Sequence, residues 1–154
     1  MRDFLIETNR LVIRVASRET MEKIVDSQPE GELKEAYREM LDGCLTFPEQ
    51  WEWRAVWTIE TKEGERVGDL SFKGIDSAGA PEIGYGIVDE FQGRGYATEA
   101  VGALVDWALS RPGVVRVEAE TEPDNAASKR VLEKCGFVPT GALGEEGPRF
   151  ARAR

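Results

Sequence analysis

Gly93-Arg94-Gly95-Tyr96-Ala97-Thr98 is the stretch of this chain whose residue types and spacing are best suited to chemistry. It follows an apolar run, Ile83 to Val88, and opens directly into a helical pattern. A strand that turns through glycines into a helix aims several backbone N–H groups outward at the positive end of the helix dipole, an arrangement that binds phosphate. Gly93 and Gly95 carry no Cβ to hold a diphosphate away, and the small Ala97 keeps the first helical turn approachable. Thr98 adds a hydroxyl donor. Arg94 is either a local countercharge or a solvated turn residue. A tight strand-to-helix connection uses the same glycines, so both readings of the turn stand. Two nucleotide motifs fit poorly: the second glycine, lysine and Ser/Thr of a P-loop are missing, and a dinucleotide fingerprint begun at Gly93 meets Thr98 where its third glycine belongs.

The chain has 154 residues with no histidine, which removes the usual serine and cysteine triads and every site built on an imidazole. A general base here must be a carboxylate, a lysine, a tyrosine or water. Cys44 and Cys135 have no CxxC spacing, so neither a disulfide framework nor a zinc site is expected, no metal is assigned, and a reducing cytoplasm fits. Both read as packing residues. The net charge of −9 argues against nucleic-acid phosphates or anionic lipid as partners. Met1 to Glu7 lacks the apolar run of a signal segment, and no later stretch approaches the roughly 20 residues needed to span a bilayer.

At 41% hydrophobic and 32% charged, the chain reads as one globular domain over residues 1–154, without repeats or linkers. Arg10 to Val15 suggests a first strand, Ser17 caps a helix to about Asp26, and Pro29 suits the first turn of a second helix over Glu30 to Leu41, ending at Gly43. Trp51, Trp53, Ala55, Trp57 and Ile59 alternate with Glu52, Arg54, Thr58 and Glu60, predicting a half-buried strand from Trp51 whose tryptophans serve the core. Strands over Arg66 to Ile75 and Glu82 to Val88 follow, joined by a turn at Asp76-Ser77-Ala78-Gly79. Ala97, Ala100, Val101, Leu104, Val105 and Ala108 define a strong amphipathic helix. A strand at Val115 to Glu120, a short helix capped by Asp124 or Asn125, and a last strand at Phe137 to Leu143 complete the order β α α β β β α β α β. This is an α/β fold with a mixed, mostly antiparallel sheet flanked by helices.

Gln92-Gly93-Arg94-Gly95-Tyr96-Ala97 resembles the Arg/Gln-x-x-Gly-x-Gly/Ala acyl-CoA signature of the GNAT superfamily of N-acyltransferases. Glu7-Thr8-Asn9-Arg10-Leu11-Val12-Ile13-Arg14 is similar to the opening of its RimJ/RimL-like branch. Val67-Gly68-Asp69, Glu82-Ile83-Gly84-Tyr85-Gly86-Ile87, Tyr96 to Ala100, Asp124 to Ser128 and Leu132 to Phe137 match that branch in order, so the resemblance spans residues 7 to 138.

The resemblance implies acetyl-CoA as cosubstrate, with its diphosphate on the N–H groups of Gly93 to Thr98 and its pantetheine arm beside Ile87 and Val88, where that strand splays from its neighbour. A backbone N–H near Ile87 would face the thioester oxygen, and Asn125 would touch the arm. Leu132 stands where many relatives carry a tyrosine, and Ser128 aligns with a substitute proton donor, against the alternative of an ordinary helix-surface serine. Glu82, acting through water, is the preferred base and Asp69 the second; each can equally be a surface carboxylate. An α-amine, with a pKa of roughly 7.7 to 8.0, needs little help from a base, whereas a lysine amine near 10.4 must shed a proton at a cost of about 4.6 kcal/mol at neutral pH. A protein or peptide N-terminal α-amine is therefore the expected acceptor. Residues 17–65 hold 13 acidic against 6 basic side chains, a field that attracts a cationic amine, although solvated helix faces explain the same run. A small-molecule amine acceptor, and a non-catalytic acyl-CoA-binding module favoured by the missing tyrosine and the short tail Gly144 to Arg154, remain as alternatives. Either a monomer or a homodimer is compatible with the sequence.

Overall fold

The computed structural model describes residues 4–73, 75 and 78–154. Its first strands, β1 (Leu5–Glu7) and β2 (Leu11–Val15), form a hairpin, with Leu11, Ile13 and Val15 facing the core. Helix α1 (Arg18–Ser27) starts where the Ser17 hydroxyl accepts from the Thr20 N–H at 3.1 Å. Helix α2 (Glu32–Thr46) starts after Pro29 and runs through Gly43 rather than stopping there. Gly43 takes no left-handed conformation, so nothing in its backbone ends the helix. Tyr37, Met40 and Leu41 pack against the core as expected, but Leu33 is exposed.

The region from Trp51 corrects the sequence reading. Trp51–Arg54 is a helical turn (α3), and the strand β3 begins only at Trp57 and ends at Thr61. The alternation of residue types was misleading because Trp51, Glu52 and Trp53 are all buried, so no solvent face exists to set a period of two. The indole N–H of Trp51 donates to the Ala16 carbonyl at 2.8 Å, and the Ala55 N–H closes the turn on the Trp51 carbonyl. The tryptophans do serve the core: Trp53 and Trp57 lie 5.0 and 4.9 Å, centroid to centroid, from Trp107.

Strands β4 (Arg66–Phe72) and β5 (Ile83–Ile87) extend the meander, while Asp76 and Ser77 of the expected turn lie outside the described residues. Helix α4 (Tyr96–Leu109) buries Ala100, Val101, Leu104, Val105 and Ala108, the expected stripe, and packs on β2, β5 and the strand β6 (Arg116–Glu120). Helix α5 (Ala126–Lys134) is capped by Asn125 and followed by β7 (Val138–Leu143). The tail then forms β8 (Pro148–Ala153), which inserts between β6 and β7. Only Phe150 of β8 is fully buried, which explains why the tail carries no visible alternation.

Among the described residues the strands make an antiparallel sheet in the order β1-β2-β3-β4-β5 and a second in the order β6-β8-β7. The sheets meet where Glu82 and Glu118 form a parallel bridge and the Glu118 N–H donates to the Pro81 carbonyl at 2.9 Å. Beyond that point β5 and β6 separate. No helix among the described residues is long and apolar enough to cross a membrane.

Candidate acyl-carrier site

The separation of β5 from β6 opens a groove of about 690 Å³. Its walls are β5, the loop from Phe91 to Gly95, the first turn of α4, residues 120–122 and α5. Past Glu82, β5 pairs only with β4 among the described residues, so its other edge leaves backbone groups available to an extended ligand.

At the open end the loop presents the orphan amides that the sequence suggested. Gly93 and Gly95 adopt φ of 78° and 82°, a region that suits glycine, and no side chain among the described residues caps the N-terminus of α4. The side chains of the loop turn back onto their own backbone. The Gln92 amide donates to the Ile87 carbonyl at 3.0 Å, and the Arg94 guanidinium donates to the Glu90 carbonyl at 3.3 Å beside the Phe91 ring. Ile87, Gln92, Gly93, Gly95, Tyr96, Ala97, Thr98, Asn125 and Ser128 all line the groove. Val88 and Arg94 do not: the Val88 N–H is taken by the Val67 carbonyl at 2.8 Å with its side chain exposed, and the Arg94 side chain is engaged as described.

On the helix wall, the Asn125 carboxamide oxygen accepts from the Ser128 N–H at 3.0 Å, so its cap is formed while it lines the groove. The Ser128 hydroxyl lies 2.8 Å from the Tyr85 hydroxyl, which is raised above the ordinary phenol range chiefly by burial. Tyr85 was quoted in the sequence only as part of a motif. Its signal was its place two residues before Ile87, on the same face of a strand expected to line the slot. Leu132 is fully buried in the core.

The two candidate bases lie elsewhere. Glu82 bonds Lys73 at 2.8 Å and Arg149 at 3.1 Å, and faces a second, smaller cavity of about 350 Å³ shared with Glu118 and Arg116. Asp69 accepts from the Tyr37 hydroxyl at 2.8 Å, beneath α2. That phenol is pushed up to about 12, first by burial and then by the Asp69 charge. The structure brings neither carboxylate to the groove, whose charged lining is instead Glu120, Glu122 and Glu146 together with the basic Arg130 and Lys134. Sequence reasoning missed these because Glu146 reaches the groove only through the turn between β7 and β8, where its N–H donates to Glu120 at 3.2 Å.

A family model for the acetyltransferase (GNAT) domain matches residues 5–138. The chain belongs to the GNAT family. The N-acetyltransferase YjdG of Bacillus subtilis, itself uncharacterized, is 42% identical to this GNAT domain over 84 residues, a match covering 53% of this chain and 50% of that protein. The matched stretch thus spans about half the length of that relative. Among solved structures, a ribosomal-protein-S5-alanine acetyltransferase from Vibrio fischeri superimposes with a TM-score of 0.77 at 20% identity, over 98% of this chain and 97% of that one. A ribosomal L7/L12 α-N-protein acetyltransferase (RimL) in complex with coenzyme A superimposes with a TM-score of 0.76 at 20% identity, over 97% and 98% of the two chains. At that identity both show a shared fold. The fold class and the family resemblance read from the sequence are therefore correct.

Proposed function

We propose that this GNAT protein transfers an acetyl group from acetyl-CoA to a primary amine, with a protein or peptide N-terminal α-amine as acceptor. The observation that carries the reading is the groove itself, with uncapped main-chain amides at one end and an unpaired strand edge along its wall. An anionic diphosphate suits the first feature and the amide-bearing pantetheine arm suits the second.

In this reading the N–H groups of Gly93 to Thr98 hold the diphosphate and the arm lies along β5 past Ile87. A backbone N–H near Ile87 stabilises the oxyanion as the amine attacks the thioester carbon. The C–N bond forms, the C–S bond breaks, and the proton shed by the attacking nitrogen passes through the Ser128 hydroxyl, which the Tyr85 hydroxyl orients, to the departing thiolate, so that Ser128 ends protonated as it began. An α-amine with a pKa of roughly 7.7 to 8.0 is already partly neutral near pH 7, so it needs no strong base. The relatives that act on ribosomal proteins support a protein acceptor at the level of the family. The non-catalytic alternative loses one of its two supports, because the tail forms β8 and completes the second sheet.

Thermal melting with acetyl-CoA, CoA, NAD and ATP tests the first half of the proposal. A ligand at 100 times its Kd adds about 2.7 kcal/mol, and stabilisation by NAD or ATP without CoA overturns the reading. Thiol release with a peptide bearing a free α-amine, compared with the same peptide blocked at its N-terminus and with a panel of small amines, tests the second half. Equal rates on the free and blocked peptides remove the α-amine as acceptor.

A further inference from the structure

The turn between β1 and β2 lies far from the groove in sequence yet is fastened to its loop. Thr8 and Leu11 close the turn on each other, the Thr8 N–H donating to the Leu11 carbonyl at 2.9 Å and the Leu11 N–H to the Thr8 hydroxyl at 3.1 Å. The turn so formed surrounds the Glu99 carboxylate. One oxygen of Glu99 accepts from the Thr8 hydroxyl at 2.5 Å and the Arg10 N–H at 2.8 Å, and the other accepts from Arg10 Nε at 2.7 Å. The same guanidinium lies 4.7 Å from the centroid of the Tyr96 ring, and its Nη1 donates to the Arg94 carbonyl at 2.8 Å.

That last bond acts on the peptide group joining Arg94 to Gly95. In a trans peptide the carbonyl and the N–H point in opposite directions, so holding the Arg94 oxygen on Arg10 turns the Gly95 N–H away from Arg10. Gly95, at φ 82°, has the conformational freedom to accept the opposite orientation as readily. In the flipped state a carbonyl oxygen replaces an N–H among the groups offered to an anion, and the site loses a donor and gains a repulsive dipole. Glu99 contributes by fixing the guanidinium from the opposite side, since two of its bonds come from the turn that carries Arg10.

We propose that Arg10, oriented by Glu99, is a positioning residue that selects the anion-binding orientation of the Arg94–Gly95 peptide, and so sets affinity for the diphosphate part of the cosubstrate. The proposal rests on the acetyl-CoA reading above. It makes a distinction that a purely structural clamp does not, because only ligands carrying the diphosphate sense that peptide.

The test is titration of the wild type, Arg10→Met and Arg10→Lys with CoA and with pantetheine, which lacks the diphosphate, followed by calorimetry for CoA and by NMR shifts for the weaker pantetheine. Arg10→Met is expected to raise the Kd for CoA at least tenfold and leave that for pantetheine within twofold. Arg10→Lys, which keeps a cationic donor for the carbonyl, is expected to return CoA affinity to within threefold of wild type. Should Arg10→Met not fold, because Glu99 is left without its partner, the double variant Arg10→Met/Glu99→Met carries no orphaned charge and the same comparison is made on it. An unchanged CoA affinity, or equal losses for CoA and pantetheine, overturns the brace alone. A wild-type protein that binds neither probe overturns the acetyl-CoA reading and the brace with it.

Discussion

The two ends of β5 are built on opposite principles. Where β5 meets β6, side chains satisfy one another: Arg149 reaches Glu82, Glu118 and Glu120, while Lys73 and Arg116 take the remaining oxygens of Glu82 and Glu118. Where β5 runs into the glycine loop, side chains are folded away and backbone amides are left for a ligand. The closed end uses its polar groups internally and so fastens two sheets; the open end leaves backbone groups without such partners. The cations around Arg149 are neutralised at the closed end, whereas Arg130 and Lys134 of α5 line the groove.

Substitutions at either end test this contrast, and the largest effect is expected at the loop. Gly95→Glu places a carboxylate among the amides and an unfavourable side chain at φ 82°, and is expected to abolish stabilisation by CoA in a melting assay. Retained CoA binding removes the loop from the site. At the closed end, Arg149→Met leaves three glutamates facing one another and is expected to cost about 3 kcal/mol by denaturant unfolding, with CoA affinity changed far less. A variant that keeps its stability but loses CoA would reverse the assignment of the two ends.

Along the wall between them, Ser128→Ala is expected to lower kcat about a hundredfold, the low end of the range for loss of a proton donor, while leaving the Kd for CoA nearly unchanged. An unaltered rate returns Ser128 to the helix surface. The smallest effect is one of pH. The hydrogen bond from Arg149 holds the Glu118 carboxyl below its usual range, with Arg116 adding to it against the opposing effect of burial. A carboxylate depressed in the folded state contributes stability above its unfolded pKa and loses it as pH falls through the folded value. Wild-type stability is thus expected to decline as pH falls below the ordinary carboxylate range. Arg149→Met should flatten that decline, and parallel curves for the two proteins would remove Glu118 from the acid response.

The glycine loop, the helix it opens and the cap at Asn125 were legible because each depends on residues close in sequence. The same locality explains the main misreading. Trp51 to Trp57 carries the residue pattern of a strand, but burial of Glu52 between Trp51 and Trp53 makes sidedness meaningless, and a helical turn forms. How Glu82 and Asp69 are held was not legible. Lys73 and Arg149 hold the first, Tyr37 the second, and none of these lies adjacent to its partner in the chain.

By itself the sequence determined the class of fold, the family, the absence of imidazole chemistry and the loop of amides, because glycine placement and helical periodicity act over a few residues. Only the tertiary structure decided which carboxylates face the groove, that Tyr85 meets Ser128, that the tail closes the second sheet, and that Arg10 reaches the Arg94 carbonyl. Those are contacts between elements separated by tens of residues. Their partners are chosen by packing and by mutual satisfaction of charge, which no local spacing encodes.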